Sequence, residues 1–288
     1  MAINAATADR ARSGALLTAA EIDELATVDV LSLGTLADDV RRARVGDRVT
    51  YVRVYDWAPT QTEVPPAARE IRLTALPEAL EAAVTAVRAA RSAAGRRWVT
   101  GFSLAHVIDR AQAGWGSPAE LLGRLKEAGL DAIVHAPVDA LSDPSSALRA
   151  SLESGLPVGC LSIQHPIRTG RTDILAQIRA LASEFPQVKT VAPLPREQAV
   201  STPTTGYDDV RMVAMARLVL SSTPHIQVDW SQYGPKLAQI ALTFGADDLD
   251  RVSAIDDERV GRRRMAAEDV QRNISAAGFV AVERDPRA

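Results

Sequence analysis

The chain has 288 residues, of which 47% are hydrophobic and 24% charged, and its formal net charge is −3 at pH 7. A chain of this length can bury one large core, and α/β barrels of ~250 residues commonly form a single domain. Acidic and basic residues are interspersed, which argues against a nucleic-acid-binding surface, since that needs a clustered basic excess. No run of ~18 apolar residues occurs, so we expect no membrane span and a cytoplasmic location.

The first 47 residues are predicted to form a helical segment that packs on a barrel made of residues 48–288. Thr18 and Glu21 stand at the spacing of a capping box, in which each side chain satisfies one free backbone donor at a helix start. Asp29 begins a second helical stretch, whose leucines recur at helical spacing until about residue 45.

From residue 48 onwards, β-rich runs alternate with helical windows. The predicted strands are 48–54, 70–76, 98–102, 131–136, 157–163, 187–194, 225–230 and 279–283. The predicted helices between and after them are 77–94, 117–128, 145–154, 172–185, 207–221, 235–244 and 267–277. About eight strand–helix units predict a parallel sheet, and the length favours its closure into a TIM-like (β/α)8 barrel. An open, doubly wound sheet would usually begin with a glycine-rich turn, which is missing here.

Function in such a barrel sits at the carboxyl ends of the strands, where this sequence places several polar and aromatic residues. We predict His135, His165 and Asp229 as catalytic acid–base groups. The predicted ligand-binding residues are Asp56, Trp57, His106, Gln164, Arg168, Arg196, Trp230 and Tyr233. The three rim histidines with Asp229 could instead bind a metal ion that activates water. No H-x-H or H-E-x-x-H spacing supports that site, so we predict no metal.

Cys160 is the single cysteine of the chain. It cannot form an internal disulfide, which fits a reducing cytoplasm. It also cannot provide the three or four thiolates that an iron–sulfur cluster needs. Its neighbours in the run PVGCLSI are mostly apolar, so we interpret it as a buried structural thiol rather than a nucleophile.

Several longer stretches resemble a known enzyme family. Near the carboxyl end these are PTTGYDD (203–209), PHIQVDW (224–230), GPKLAQ (234–239) and FGADDL (244–249). Earlier in the chain they are DVLSLGTLADDV (29–40), GDRVTYV (46–52) and LKEAGLD (125–131). In this order they resemble the radical SAM enzymes of the futalosine pathway of menaquinone biosynthesis, aminofutalosine synthase and cyclic dehypoxanthine futalosine synthase. They are also similar to the deazaflavin (FO) synthase subunits.

This resemblance implies a radical-SAM-like barrel that binds S-adenosylmethionine and a [4Fe–4S] cluster. The family holds the cluster with a C-x3-C-x2-C loop directly after the first strand. Here the corresponding residues are Tyr55-Asp56-Trp57-Ala58-Pro59-Thr60, without a cysteine. We therefore expect no [4Fe–4S] cluster, no S-adenosylmethionine binding and no radical catalysis by this chain. Whether the proline-rich loop 55–69 fills the former cluster site stays open.

Three hypotheses follow. The first is a cluster-free relative, a pseudoenzyme that binds a nucleoside-like metabolite or supports a catalytic paralogue, alone or as a homodimer. The second is an enzyme with polar acid–base or metal-assisted chemistry at the barrel rim. The third is a barrel that folds without any remaining activity. The retained carboxyl-terminal motifs fit either a functional or a purely structural role.

Overall fold

A computed structural model describes residues 3–58, 60, 63–167, 169–197, 204–221, 223, 225–255 and 267–287. Nine strands are found in this part of the chain: β1 (Arg48–Trp57), β2 (Glu70–Leu73), β3 (Trp98–Ser103), β4 (Ala132–Pro137), β5 (Leu161–Ile163), β6 (Thr190–Pro195), β7 (His225–Asp229), β8 (Asp248–Ser253) and β9 (Val280–Glu283). Strands β1 to β8 pair in parallel with their neighbours, and β1 also pairs with β8. The predicted closed parallel barrel is therefore confirmed.

Helices surround the barrel and precede it. They are α1 (Ala5–Ser13), α2 (Ala19–Thr27), α3 (Val30–Val45), α4 (Leu80–Ala94), α5 (Leu104–Arg110), α6 (Pro118–Glu127), α7 (Pro144–Glu153), α8 (Arg171–Glu184), α9 (Gly206–Val219), α10 (Trp230–Leu242) and α11 (Ala267–Ala276). The capping box of Thr18 and Glu21 is present at the start of α2. Helix α5 was not predicted from the sequence. None of the helices described here is long and apolar enough to cross a bilayer.

The eighth barrel strand differs from the predicted one. Residues 248–253, which were not predicted as a strand, form β8 and close the barrel against β1. The predicted last strand is β9, which pairs with Arg48–Tyr51 at the amino half of β1. Strand β2 does not extend along this half of β1, because it pairs with Val54–Trp57. The sequence DLDRVS does not indicate a strand, because its two aspartates belong to a residue type that is depleted in strands.

The barrel interior stabilises these unusual strand residues with opposite charges. Asp250 of β8 accepts hydrogen bonds from both terminal nitrogens of Arg72, at 2.8 and 2.9 Å. Asp248 accepts Nε of Arg284 at 2.8 Å and the side-chain amide of Gln227 at 2.7 Å. Buried charges are tolerated only when they are paired and hydrogen-bonded, which is the case here. The interior is therefore a polar network rather than an apolar core.

Packing explains part of the motifs shared with the family. A Cβ atom on Gly34 of α3 would lie 2.5 Å from the ring of Phe244. A Cβ on Gly245 would lie 2.8 Å from Cβ of Arg217, and the φ of Gly245 is +105°. Both glycines thus allow α3 and α9 to approach the segment between α10 and β8. Close packing is therefore sufficient to explain why glycine occupies these two positions of the motifs.

Candidate functional site

A cluster of four charged side chains lies at the carboxyl end of the barrel. Arg251 of β8 donates to Asp56 at 2.9 Å, and its other terminal nitrogen lies 3.6 Å from Asp229. Arg196, directly after β6, donates to the same Asp229 oxygen at 3.3 Å. These four residues, which we call the mouth cluster, join the ends of β1, β6, β7 and β8. Asp56 and Trp57 belong to β1 itself, and not to a loop as the sequence predicted.

Asp229 uses both carboxylate oxygens within the protein. Oδ1 caps α10 by accepting the backbone N–H of Gln232 at 2.9 Å and the hydroxyl of Ser231 at 3.0 Å. Oδ2 faces the guanidinium groups of Arg196 and Arg251. The carboxylate is buried and fully engaged, so its observed role is to position the two arginines.

Several buried polar atoms of the mouth have no hydrogen-bond partner among the described residues. They are Nε of Arg196, Nε of Arg251, Oγ of Ser103 and Oδ1 of Asp56. Each unsatisfied buried group costs about 1–3 kcal/mol. The two arginine nitrogens are donors only, so a bound molecule with acceptor oxygens or nitrogens would satisfy them.

Cys160 is buried, as the sequence predicted, but it has a charged neighbour. Its Sγ lies 3.5 Å from a terminal nitrogen of Arg196 and 3.9 Å from the carbonyl oxygen of Val134. Burial raises the pKa of the thiol, and this outweighs the opposite effect of Arg196. The thiol therefore contacts the mouth cluster from below and stays protonated at neutral pH.

His135 of β4 forms a hydrogen bond with the buried hydroxyl of Ser162, with Nδ1 2.8 Å from Oγ. Burial of the imidazole, assisted by the positive charges of Arg196 and Arg72, holds the pKa of His135 well below its ordinary value. The imidazole is therefore buried and neutral at physiological pH, and it lies beside a buried hydroxyl.

The other predicted residues are not gathered at this site. His165 is exposed and pairs with Asp139 at 3.1 Å, and Glu197 lies 3.9 Å away. Gln164 donates to the same Glu197 at 2.7 Å. The prediction that His165 acts together with His135 and Asp229 therefore has no support from its contacts. The backbone N–H and the ring Nδ1 of His165 both form hydrogen bonds with the carboxylate of Asp139.

The aromatic residues differ in their position. Trp230 is almost completely buried, and Tyr233 donates its hydroxyl to the carbonyl of Pro195 at 2.7 Å. Trp57 is buried too and packs edge-on against Tyr55, with ring centroids 6.4 Å apart. His106 is exposed on α5. Arg168 lies outside the described residues.

Arg251 and Ser162 were not predicted as site residues from the sequence. Arg251 stands in the unrecognised strand β8 and has a φ of +54°, which is uncommon outside glycine. The alternation of charged and apolar residues over Asp248, Leu249 and Asp250 was the available signal for this strand. In the part of the chain that the structure describes, no group of three His, Cys, Asp or Glu residues could hold a metal ion.

A small cavity lies beside the mouth cluster, between the ends of β1 and β8 and the start of α10. It measures about 50 Å³, and Tyr55, Asp56, Ser231 and Arg251 are among its lining residues. A water molecule occupies about 30 Å³ in the liquid. The cavity therefore holds one or two waters, or one polar end of a larger molecule.

Comparison with known proteins relates this chain to one family. Residues 181–287 match the family described as the CofH/MqnC C-terminal region. This carboxyl-terminal part of the chain is similar to the CofH/MqnC proteins. Aminodeoxyfutalosine synthase of Thermus thermophilus is 29% identical over an alignment of 199 residues that covers 58% of this chain and 53% of the relative. This result confirms the resemblance inferred from the motifs.

An alignment with a second relative covers more of the chain. The 5-amino-6-(D-ribitylamino)uracil–L-tyrosine 4-hydroxyphenyl transferase of Archaeoglobus fulgidus is 26% identical over 242 residues, with 73% of this chain and 70% of the relative aligned. The chain spans about half the length of the first curated relatives it matches, at 53% and 54%.

Solved structures show the same fold. Methylornithine synthase (PylB) superimposes with a TM-score of 0.70 at 13% identity, over 97% of this chain and 98% of its own. The hydrogenase maturase HydG of Carboxydothermus hydrogenoformans gives 0.64 at 14% identity, over 95% of this chain and 78% of its own. At such identities these matches establish the barrel alone.

The residues present do not fit the cluster that the resemblance implies. The end of β1 carries the carboxylate of Asp56 and the indole of Trp57, and Ala58 follows them. The one thiol, Cys160, is buried at the amino end of β5 and contacts Arg196. Iron–sulfur clusters require several cysteine thiolates, and this end of the barrel offers an ion-pair network instead.

Proposed function

We propose that this chain is a cluster-free relative of the futalosine-pathway enzymes that binds a nucleoside-like metabolite at the carboxyl end of its barrel, without radical SAM catalysis. The observation that carries the proposal is the mouth cluster with its unpaired buried donors. Two arginines are held at fixed positions by Asp56 and Asp229, while the Nε–H of each remains without a partner among the described residues.

The chemistry of these donors favours a ligand rich in acceptor atoms. Nucleosides carry ring nitrogens, carbonyl oxygens and sugar hydroxyls, all of which accept hydrogen bonds. Ser103 and Asp56 add an acceptor for a ligand N–H or O–H group. The names of the relatives, aminodeoxyfutalosine synthase and the ribitylaminouracil–tyrosine transferase, point to the same chemical class.

The cavity volume sets how such a ligand would bind. About 50 Å³ admits one polar end of a nucleoside and not the whole molecule. The remainder would lie above the mouth cluster, towards solvent. In this arrangement Arg196 and Arg251 orient the ligand, while Asp229 keeps both guanidinium groups in place.

Binding to inosine and to 5-amino-6-(D-ribitylamino)uracil tests the proposal by isothermal titration calorimetry. Ser103→Ala removes only a hydroxyl that is unpaired in the free protein, so stability should stay the same or rise. A net hydrogen bond of about 0.5–1.5 kcal/mol predicts a two- to tenfold loss of affinity. The matched control, Ser275→Ala on the exposed surface of α11, should bind normally.

Two results would overturn this function. One is the absence of saturable binding for both probes. The other is stoichiometric iron and sulfide, with S-adenosylmethionine cleavage, after anaerobic reconstitution of the purified protein. Equal affinity of the wild type and Ser103→Ala would place the ligand elsewhere.

A second candidate, an enzyme with acid–base chemistry, is favoured by one observation. The neutral His135 lies within hydrogen-bond distance of Ser162, so a hydroxyl and a base are paired inside the barrel. Turnover of a bound nucleoside that is lost in both His135→Gln and Ser162→Ala would support it. Binding without turnover would reject it.

A further inference from the structure

A second cavity lies at the opposite end of the barrel, where the strands begin. It has a volume of about 500 Å³ and is bounded by residues 66–69, 96–98 and 283–287. These three segments precede β2, start β3 and follow β9. Small-molecule sites typically have ~300–1,000 Å³, so this cavity has the size of a binding site.

Positive charge dominates this cavity. Its walls contain five arginines, 69, 96, 97, 284 and 287, but only two acidic residues, Glu283 and Asp285. Glu283 is already paired with Arg53 and Arg69, and Arg284 is paired with Asp248. No carboxylate of the described chain pairs with the remaining three arginines, which are Arg96, Arg97 and Arg287.

Arg97 is held in place without being neutralised. Its Nε donates to the carbonyl oxygen of Ala68 at 3.0 Å, and its terminal nitrogens lie 3.4 and 3.5 Å from those of Ala94 and Pro65. These acceptors are uncharged, so they fix the guanidinium group and leave its full positive charge. A positive charge that is fixed before binding costs little conformational entropy when an anion arrives.

The wall also contains an aromatic ring. Trp98, at the first position of β3, lines the cavity beside Arg97 and is only partly buried. Arginine forks match phosphate oxygens, and a tryptophan face can stack on a planar base. From the uncompensated arginines, the cavity size and this ring, we propose that the cavity binds a phosphate-bearing small molecule of the nucleotide type.

This site is independent of the mouth cluster. It is formed by the amino ends of β2 and β3 and by the segment after β9, whereas the mouth cluster lies at the carboxyl ends of other strands. The inference goes beyond the proposed function, and either one can fail without the other.

Titration calorimetry at constant ionic strength tests the proposal with ATP, inorganic pyrophosphate and sodium sulfate. We expect saturable one-to-one binding of ATP that is tighter than the binding of pyrophosphate, and no saturable binding of sulfate. Arg96 is exposed and its side chain has no recorded partner, so Arg96→Gln should fold normally. Losing one charge-assisted hydrogen bond of about 1.5–3 kcal/mol predicts a tenfold or larger rise in Kd.

The matched control is Arg88→Gln, which removes an equally exposed arginine from α4, away from the cavity. It should change the Kd less than twofold. Trp98→Phe should weaken ATP more than pyrophosphate, and Trp57→Phe should affect neither. The proposal is overturned by equal losses in Arg96→Gln and Arg88→Gln, by the absence of saturable ATP binding, or by preferential binding of a polyanion such as RNA.

Discussion

Arg72 of β2 and Asp250 of β8 form a bidentate ion pair across β1 inside the barrel, with N···O distances of 2.8 and 2.9 Å. Glu70 and Thr100 extend the pair, since Glu70 accepts Nε of Arg72 at 2.7 Å and the hydroxyl of Thr100 at 2.5 Å. Burial disfavours the carboxylate of Asp250, but Arg72 holds its pKa well below the ordinary value. The pair therefore connects two strands that do not share backbone hydrogen bonds.

Asp250→Ala should strongly destabilise the protein. The change leaves the buried guanidinium of Arg72 with Glu70 as its only nearby carboxylate, and breaking a buried ion pair typically costs about 3–5 kcal/mol. Urea unfolding measures this loss directly. Asp9→Ala, which removes an exposed carboxylate of α1, should change the free energy of unfolding by less than about 0.5 kcal/mol. Similar small losses in both variants would contradict the structural role of the pair.

His135 predicts a loss of stability in acid. Its pKa in the folded state is lowered, so the unfolded chain takes up the proton first as the pH falls. The associated stability is complete above the unfolded pKa of about 6.5 and decreases progressively below it. Guanidinium unfolding of wild type and His135→Gln between about pH 7 and 5 measures the difference. An unchanged slope against pH in the variant would show that His135 does not titrate in this way.

His225 predicts the opposite dependence. The hydrogen bond that Nδ1 of His225 donates to Asp247, 2.6 Å away, raises the pKa of this imidazole, and burial opposes the rise. The stabilisation is fully present below the unfolded pKa of about 6.5 and is lost as the pH rises through the higher folded value. NMR titration of the His225 ring should report a raised pKa, which Asp247→Asn should lower.

Two glycines predict opposite effects of the same substitution. A Cβ at Gly159, before β5, would lie 2.6 Å from the carbonyl oxygen of Val134, which is backbone and cannot turn aside. Gly159→Ala should therefore destabilise the barrel by about 1–3 kcal/mol. Gly123, inside α6, has no atom within 4 Å of such a Cβ. Gly123→Ala should stabilise by up to about 1 kcal/mol, because alanine favours helices. Thermal unfolding of both variants compares them.

Local sequence rules predicted most of the architecture. The cap at Thr18 and the apolar runs of β3, β4 and β7 are local signals, and they appear where expected. Strand β8 escaped prediction because its aspartates oppose strand propensity. They are stable only where Arg72 and Arg284 reach them, and both partners are distant in sequence.

The candidate site, too, was predicted from the sequence only in part. The sequence placed Asp56, Trp57, Arg196 and Asp229 at the barrel rim, because parallel strands end at one edge. It could not show that Arg251 joins them, or that His165 turns to Asp139 instead. Such pairings depend on strand register and closure.

The sequence by itself determined the barrel class, the relation to the CofH/MqnC proteins and the lack of thiolates after β1. These features depend on periodicity, motif order and residue type, which are properties of the chain alone. Only the tertiary structure decided which strand closes the barrel, which charges neutralise each other and which arginines remain uncompensated. Electrostatic pairing acts between groups brought within a few ångströms by folding, and sequence separation carries no information about that distance.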